Sequence, residues 1–181
     1  LTTNALLTDV WGDENNVYTL GSSNDMKSNT ILYTGNTSGW IVANSYSIEN
    51  KAPVSPNKYM GRLFSIYRAN KNSKLWVLGG ENHGSLFEIT SLSPFSVIEF
   101  FTIPEVFYPK FVRGNADNDL FLFGEVDGKI LHYNAKTWKL IEPANNFRMM
   151  GCSVKGNTIV LAGESSDQLL GKGITVILQR H

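Results

Sequence analysis

Apolar residues run along this chain in short stretches broken by small polar ones. Apolar positions at three-and-four spacing are never sustained over the ~11 residues an amphipathic helix needs, so the pattern predicts strands throughout. A six-residue phrase recurs four times: Val17-Tyr18-Thr19-Leu20-Gly21-Ser22, Trp76-Val77-Leu78-Gly79-Gly80-Glu81, Leu120-Phe121-Leu122-Phe123-Gly124-Glu125 and Ile159-Val160-Leu161-Ala162-Gly163-Glu164. Each copy is rich in β-branched, aromatic or aliphatic residues and stops at Gly, as a buried strand entering a turn does. Turn chemistry precedes each copy, at Asn15-Asn16, Asn72-Ser73-Lys74, Asp117-Asn118-Asp119 and Gly156-Asn157.

The flanks repeat as well. A strand is predicted before each hairpin, over residues 7 to 12, 62 to 68, 110 to 116 and 149 to 155. After the Gly come a polar loop and another short strand, at Ile31-Leu32-Tyr33, Leu86-Phe87-Glu88-Ile89, Ile130-Leu131-His132-Tyr133 and Ile174-Thr175-Val176-Ile177. An outer strand follows in the first three repeats, at Trp40-Ile41-Val42, Val97 to Phe101 and Trp138 to Ile141, and the fourth repeat offers none. Four strands at a period of about 45 residues form the unit of a β-propeller, a four-stranded antiparallel blade. The expectation is an all-β, single-domain propeller with blades near residues 7–58, 59–109, 110–147 and 148–181, the last incomplete. A β-sandwich is the architectural rival, and the Gly at one fixed phase favours the propeller.

Charge narrows the partners. Sixteen Lys and Arg balance sixteen Asp and Glu among 181 residues, so no basic surface of the kind that holds phosphate backbones is expected, and nucleic acid is excluded as a partner. The longest apolar stretch, Phe95 to Ile103, is interrupted by Ser96, Glu99 and Thr102 and falls short of the ~18 to 20 residues of a membrane helix. Cys152 is the single cysteine, which rules out an intrachain disulfide and a multi-cysteine zinc site. Abundant Asn, Ser, Thr and Gly with only 18% charged residues point toward an exported protein, extracellular or periplasmic.

Candidate chemistry is sparse. His83, His132 and His181 lack metal-ligand spacing, and no cofactor or metal is expected. Asp13-Glu14-Asn15-Asn16 and Asp117-Asn118-Asp119 read as Asx turns without the alternating ligands of a calcium loop. The sharper signal is the residue after the strand-ending Gly: Glu81, Glu125 and Glu164, with Ser22 in the first repeat. Equivalent loops of successive blades emerge on one face, so these residues, with His83 beside Glu81, are the predicted ligand-binding set. Tyr33, Tyr46, Tyr59, Phe107 and Tyr108 are candidate aromatic contacts for a sugar or a peptide. The favoured function is a non-enzymatic binding or scaffold module that holds a protein or glycan on this loop face. The alternative is a glycoside-cleaving enzyme using Glu81 and Glu125, which requires two carboxylates about 5 to 10 Å apart.

Leu7-Thr8-Asp9-Val10-Trp11-Gly12, Asn16-Val17-Tyr18 with Gly21, and Gly128-Lys129-Ile130-Leu131-His132-Tyr133 with Thr137-Trp138 resemble the repeats of a bacterial exported β-propeller family, kelch-like and Asp-box-like in style. Only Gly79-Gly80 supplies a kelch-type double glycine, and Asn134 to Trp138 lacks the Asp and Gly of an Asp-box, so sialidase activity is not implied. The resemblance implies fold and export, and little about ligand. The chain starts Leu1-Thr2-Thr3-Asn4, without Met or a leader, and is expected to be a processed or partial form. With the fourth repeat short of a strand, the expectation is the C-terminal part of a propeller of about seven or eight blades, completed by its remainder or by another chain; the rival is a closed four-blade ring.

Overall fold

The computed structural model describes residues 5–13, 16–23, 29–36, 38–47, 53–55, 58–59, 62–80, 84–93, 95–105, 107–126, 128–143, 147–165 and 172–180. Among these every regular element is a strand, as the absence of helical periodicity requires. The chain forms two compact units, Leu1–Pro104 and Glu105–His181. The fold is all-β and of β-propeller type, with two consecutive blades in each unit and three strands in the last blade.

In the first unit, β1 (Ala5–Gly12), β2 (Val17–Ser23), β3 (Asn29–Asn36) and β4 (Gly39–Ser47) make one antiparallel meander. A small hairpin follows, β5 (Pro53–Ser55) with β6 (Lys58–Tyr59). The second meander is β7 (Arg62–Tyr67), β8 (Leu75–Gly80), β9 (Ser85–Leu92) and β10 (Phe95–Thr102). The second unit holds β11 (Pro109–Ala116), β12 (Asp119–Gly124), β13 (Ile130–Tyr133) and β14 (Trp138–Ile141), then β15 (Phe147–Lys155), β16 (Thr158–Ser165) and β17 (Gly173–Gln179). All four glycine-ended phrases are second strands of their sheets, and all three predicted outer strands are fourth strands.

The strand period of two builds each core. Tyr18 and Leu20 of β2 pack against Leu63, Ile66, Leu75, Val77, Phe87 and Ile89 of the neighbouring sheet, with Trp11 at the margin. In the second unit Phe121 and Phe123 pack with Ile130, Phe147, Met149, Ile159 and Leu161. Leu75 to Leu78 and Leu120 to Phe123 are buried on both faces, which explains their unbroken apolar runs, whereas β16 alternates buried Ile159 and Leu161 with more open Val160 and Ala162. Trp76 is buried; Trp11 and Trp138 are half-buried, in tilted ring contact with Tyr67 and Tyr133.

One irregularity recurs in every sheet. The first strand of each four- or three-stranded sheet carries an extra residue, between the partners Leu7↔Gly21 and Asp9↔Leu20, and again between Leu63↔Gly79 and Ser65↔Leu78. The same break separates Pro109↔Gly124 from Phe111↔Phe123, and Met149↔Gly163 from Gly151↔Ala162. Thr8, Phe64, Lys110 and Met150 are therefore bulge residues at one common phase, each beside the phrase glycine. A bulge sharpens strand twist and re-aims the side chain it carries. This register aligns Gly79, and not Gly80, with Gly21, Gly124 and Gly163. Gly80 does a different job: its φ is +153°, and a Cβ there would lie 2.6 Å from the Gly84 Cα across the β8–β9 turn.

Asp9, one residue past the first bulge, ties two blades together. Its Oδ2 accepts the Ser65 hydroxyl at 2.6 Å and the Ile66 amide at 2.9 Å, and its Oδ1 accepts the Val10 amide at 3.0 Å. In the second unit the corresponding tie is made by backbone, Met149 N–H donating to the Glu125 carbonyl at 2.8 Å.

The opposite end of β12 carries a polar cluster that no motif announces. Arg180 donates to both Asp119 oxygens at 2.8 and 3.0 Å and to the Gly156 carbonyl at 2.7 Å. Asn115 Nδ2 donates to Asp119 at 2.7 Å, and the His132 ring lies 2.8 Å from Asp119 while stacking on Phe121 at 4.2 Å. Burial raises the Asp119 carboxyl, but hydrogen bonds from Arg180, Asn115 and His132, with the Arg180 charge, outweigh it. The pKa therefore lies below its ordinary 3.8. A folded-state pKa below the unfolded one gives stability that is present above the unfolded value and is lost as pH falls through the folded one. Asp119→Asn should cost about 1–2 kcal/mol at pH 7, and its deficit against the parent protein should close below about pH 4. Urea midpoints measured from pH 7 to pH 3 check this; a deficit independent of pH would place the effect in packing instead.

Candidate binding face

The residue after each phrase glycine and the bulge residue opposite it emerge at the same end of a sheet. In the third sheet these are Glu125 and Lys110, in the fourth Glu164 and Met150. Glu125 is held on both sides of its peptide, its N–H donating to the Tyr108 carbonyl at 3.0 Å and its carbonyl accepting from Met149 at 2.8 Å. Glu164 sits directly across from Arg148 in the β15–β16 pairing. Backbone register, rather than the length of the side chains, brings these groups together.

Their charges alternate. Lys110 Nζ lies 2.6 Å from Glu125, Arg148 reaches Glu125 at 3.7 Å and Glu164 at 3.3 Å, so the run reads Lys110, Glu125, Arg148, Glu164. All four side chains are 32 to 52% exposed, and each pair is worth about 0.2–1 kcal/mol. Around this run the neighbouring residues Tyr108, Val126 and Met150 are 62, 62 and 57% exposed, large apolar side chains held in water. Phe107, expected as an aromatic contact, is instead buried at 2% exposure in the segment just before β11, while Tyr108 beside it stands in water.

The predicted set thus divides. Glu125 and Glu164 are brought together through Arg148. Ser22 lies at the equivalent register position of the first sheet, across from Leu6, with its side chain outside the described part. Gly80 holds that position in the second sheet, so Glu81 is one residue beyond it, and both Glu81 and His83 fall outside the described residues. The side chains of Tyr33, Tyr46 and Tyr59 are likewise outside them. Sequence reasoning singled out the carboxylates and missed Lys110 and Arg148. Arg148 stands one residue before Met149, the partner of Gly163, which is the only local signal that could have found it.

His132 is stacked and bonded as a structural residue. Asn16 and Asp13 form the expected Asx turn, the Asn16 amide donating to Asp13 Oδ1 at 3.0 Å. Among the described residues no three His, Cys, Asp or Glu gather into a metal-binding group. A polar cleft of about 390 Å³ in the first unit, bordered by Tyr18, Arg68, Lys74, Glu88 and Thr90, was not anticipated. Its charges are matched, Lys74 to Glu88 at 2.6 Å and Arg68 to Asp13 at 3.3 Å. Burial raises the Tyr18 phenol above its ordinary value, Arg68 opposing and Asp13 reinforcing the shift.

No protein-family model matches this chain and no curated protein matches it, so a functional reading rests on the geometry of the face.

Proposed function

We propose that this protein is a non-enzymatic binding propeller, exported from the cell, that holds a protein or glycan partner on the loop face carrying Lys110, Glu125, Arg148 and Glu164. The observation that supports this reading is the company those ion pairs keep. Exposed Tyr108, Val126 and Met150 flank them, and apolar anchors amid matched charges are the composition of a recognition surface. The ion pairs fix register and exclude wrong partners more than they add affinity. The Glu125 carboxylate is engaged by Lys110 at 2.6 Å and by Arg148 at 3.7 Å, which favours an ion-pair role over the paired-carboxylate role that glycoside cleavage requires.

A glycan array and a pull-down, each run with the parent protein and with Tyr108→Ala/Met150→Lys, test the reading. Both positions are exposed, so the variant keeps its fold, and a genuine ligand should lose at least about tenfold in affinity, roughly 1.4 kcal/mol. Ligands bound equally well by the variant would place recognition elsewhere.

A further inference from the structure

Asn36-Thr37-Ser38 is the one Asn-x-Ser/Thr triplet in the sequence, and its middle residue is not proline. The fold sets it at the tip of the β3–β4 hairpin: Asn36 ends β3, Gly39 opens β4, and the two are cross-strand partners. Asn36 and Ser38 are both exposed. The Asn36 Oδ1 accepts the Ser38 N–H at 2.8 Å, an Asx turn that holds the carboxamide by its oxygen. Among the described residues the Asn36 Nδ2 has no partner, so the nitrogen is left for other chemistry.

The space beside this nitrogen is open on one face of the sheet. The strand period of two puts Asn36, Gly39, Thr34 and Ile41 on one face and Gly35 and Trp40 on the other. The Trp40 ring fills that other face, since a Cβ at Gly35 would lie 2.5 Å from its Cδ2. On the Asn36 face a Cβ at Gly39 would meet nothing within 4 Å, and Ile41 is 65% exposed. The strand that holds Ile41 is also uncharged. β10 and β14, the outer strands of the next two sheets, carry Glu99 and Lys139, whereas β4 has no charged residue along Gly39–Ser47. Charge is a common protection of an outer strand, and a bulky polar group beside it serves the same end.

We propose that Asn36 is an N-glycosylation site whose glycan lies along Ile41 and covers the uncharged strand β4. The proposal rests on the export proposed above, because the sugar donor belongs to that route. In the transfer, Asn36 Nδ2 forms a bond to the anomeric carbon of a sugar carried on a lipid diphosphate. The bond from that carbon to the phosphate oxygen breaks, the diphosphate leaves with the electron pair, and Nδ2 gives up one proton to a base of the transferase. The hairpin tip accepts the bulk of the product without displacing a buried side chain.

The test is tandem mass spectrometry of the whole protein recovered from fractionated native cells and their medium. The peptide containing Asn36 should carry sugar mass, removed by a glycoamidase that leaves Asp at position 36. Ser38→Ala keeps Asn36 and the turn, whose donor is backbone, and should lose the sugar completely, whereas Ser38→Thr should retain it. Light scattering should show the trimmed protein self-associating at lower concentration than the glycosylated form, and Ile41→Lys should reverse that. An exported protein with Asn36 unmodified would overturn the site and leave export standing; an unmodified protein confined to the cytosol would overturn both. A glycan whose removal leaves self-association unchanged would overturn the cover over β4.

Discussion

Gly163→Ala should destabilise the protein by at least about 3 kcal/mol, or prevent folding, although it adds a single methyl group. A Cβ at this position would lie 2.1 Å from the Arg148 carbonyl oxygen and 2.8 to 2.9 Å from the Phe147 ring. Neither neighbour can yield at low cost: the carbonyl belongs to the strand leading into the Met150 bulge, and Phe147 is 1% exposed inside the core of its unit. Gly151→Ala is the internal control. It lies in the same sheet, just past the bulge, with no atom within 4 Å of its added Cβ, and should change stability by no more than about 0.5 kcal/mol, with a gain favoured. Urea denaturation read by midpoint at constant slope separates the two. Equal effects would show that the bulge leaves room the geometry denies.

Asp9→Ala should cost about 2–4 kcal/mol. The substitution removes the acceptor of the Ser65 hydroxyl, a group with 0% exposure, and of the Ile66 amide, both on β7 of the next sheet. A desolvated donor that loses its acceptor carries most of that cost, because water does not reach it. Asp9→Asn keeps one carbonyl acceptor and should recover about half of the loss. If Asn and Ala were equally damaging, the negative charge, rather than the hydrogen bonds, would be the tie between the blades. Thermal unfolding of the three proteins makes that comparison.

Strand content was legible because both signals involved are local. Runs such as Leu120-Phe121-Leu122-Phe123 combine β propensity with a stop at Gly, and the turn residues that precede them fix where the hairpin falls. The bulges were not legible, since they are a property of pairing between strands and require no particular residue: Thr8, Phe64, Lys110 and Met150 share no chemistry. That also explains the one-residue displacement in the second repeat. Gly79-Gly80 offers two alignments of the phrase, and only the register with Leu63 chooses between them. Of the binding face, Glu125 and Glu164 could be picked out by phase. Their cations could not, because Lys110 reaches Glu125 across 15 positions of chain and Arg148 reaches it across 23, and neither pair lies within one repeat phrase.

The loop face exists only if the same register places the bulge and the glycine together in each sheet, and cross-strand proton contacts measured by nuclear magnetic resonance on the 20.1 kDa chain read that register directly. Glycine protons of Gly21, Gly79, Gly124 and Gly163 should show contacts with Leu7, Leu63, Pro109 and Met149 respectively, and Thr8, Phe64, Lys110 and Met150 should lack a paired partner. Contacts of Leu63 with Gly80 in place of Gly79, or regular pairing through Lys110 and Met150, would contradict the common register and with it the face built on Glu125 and Glu164.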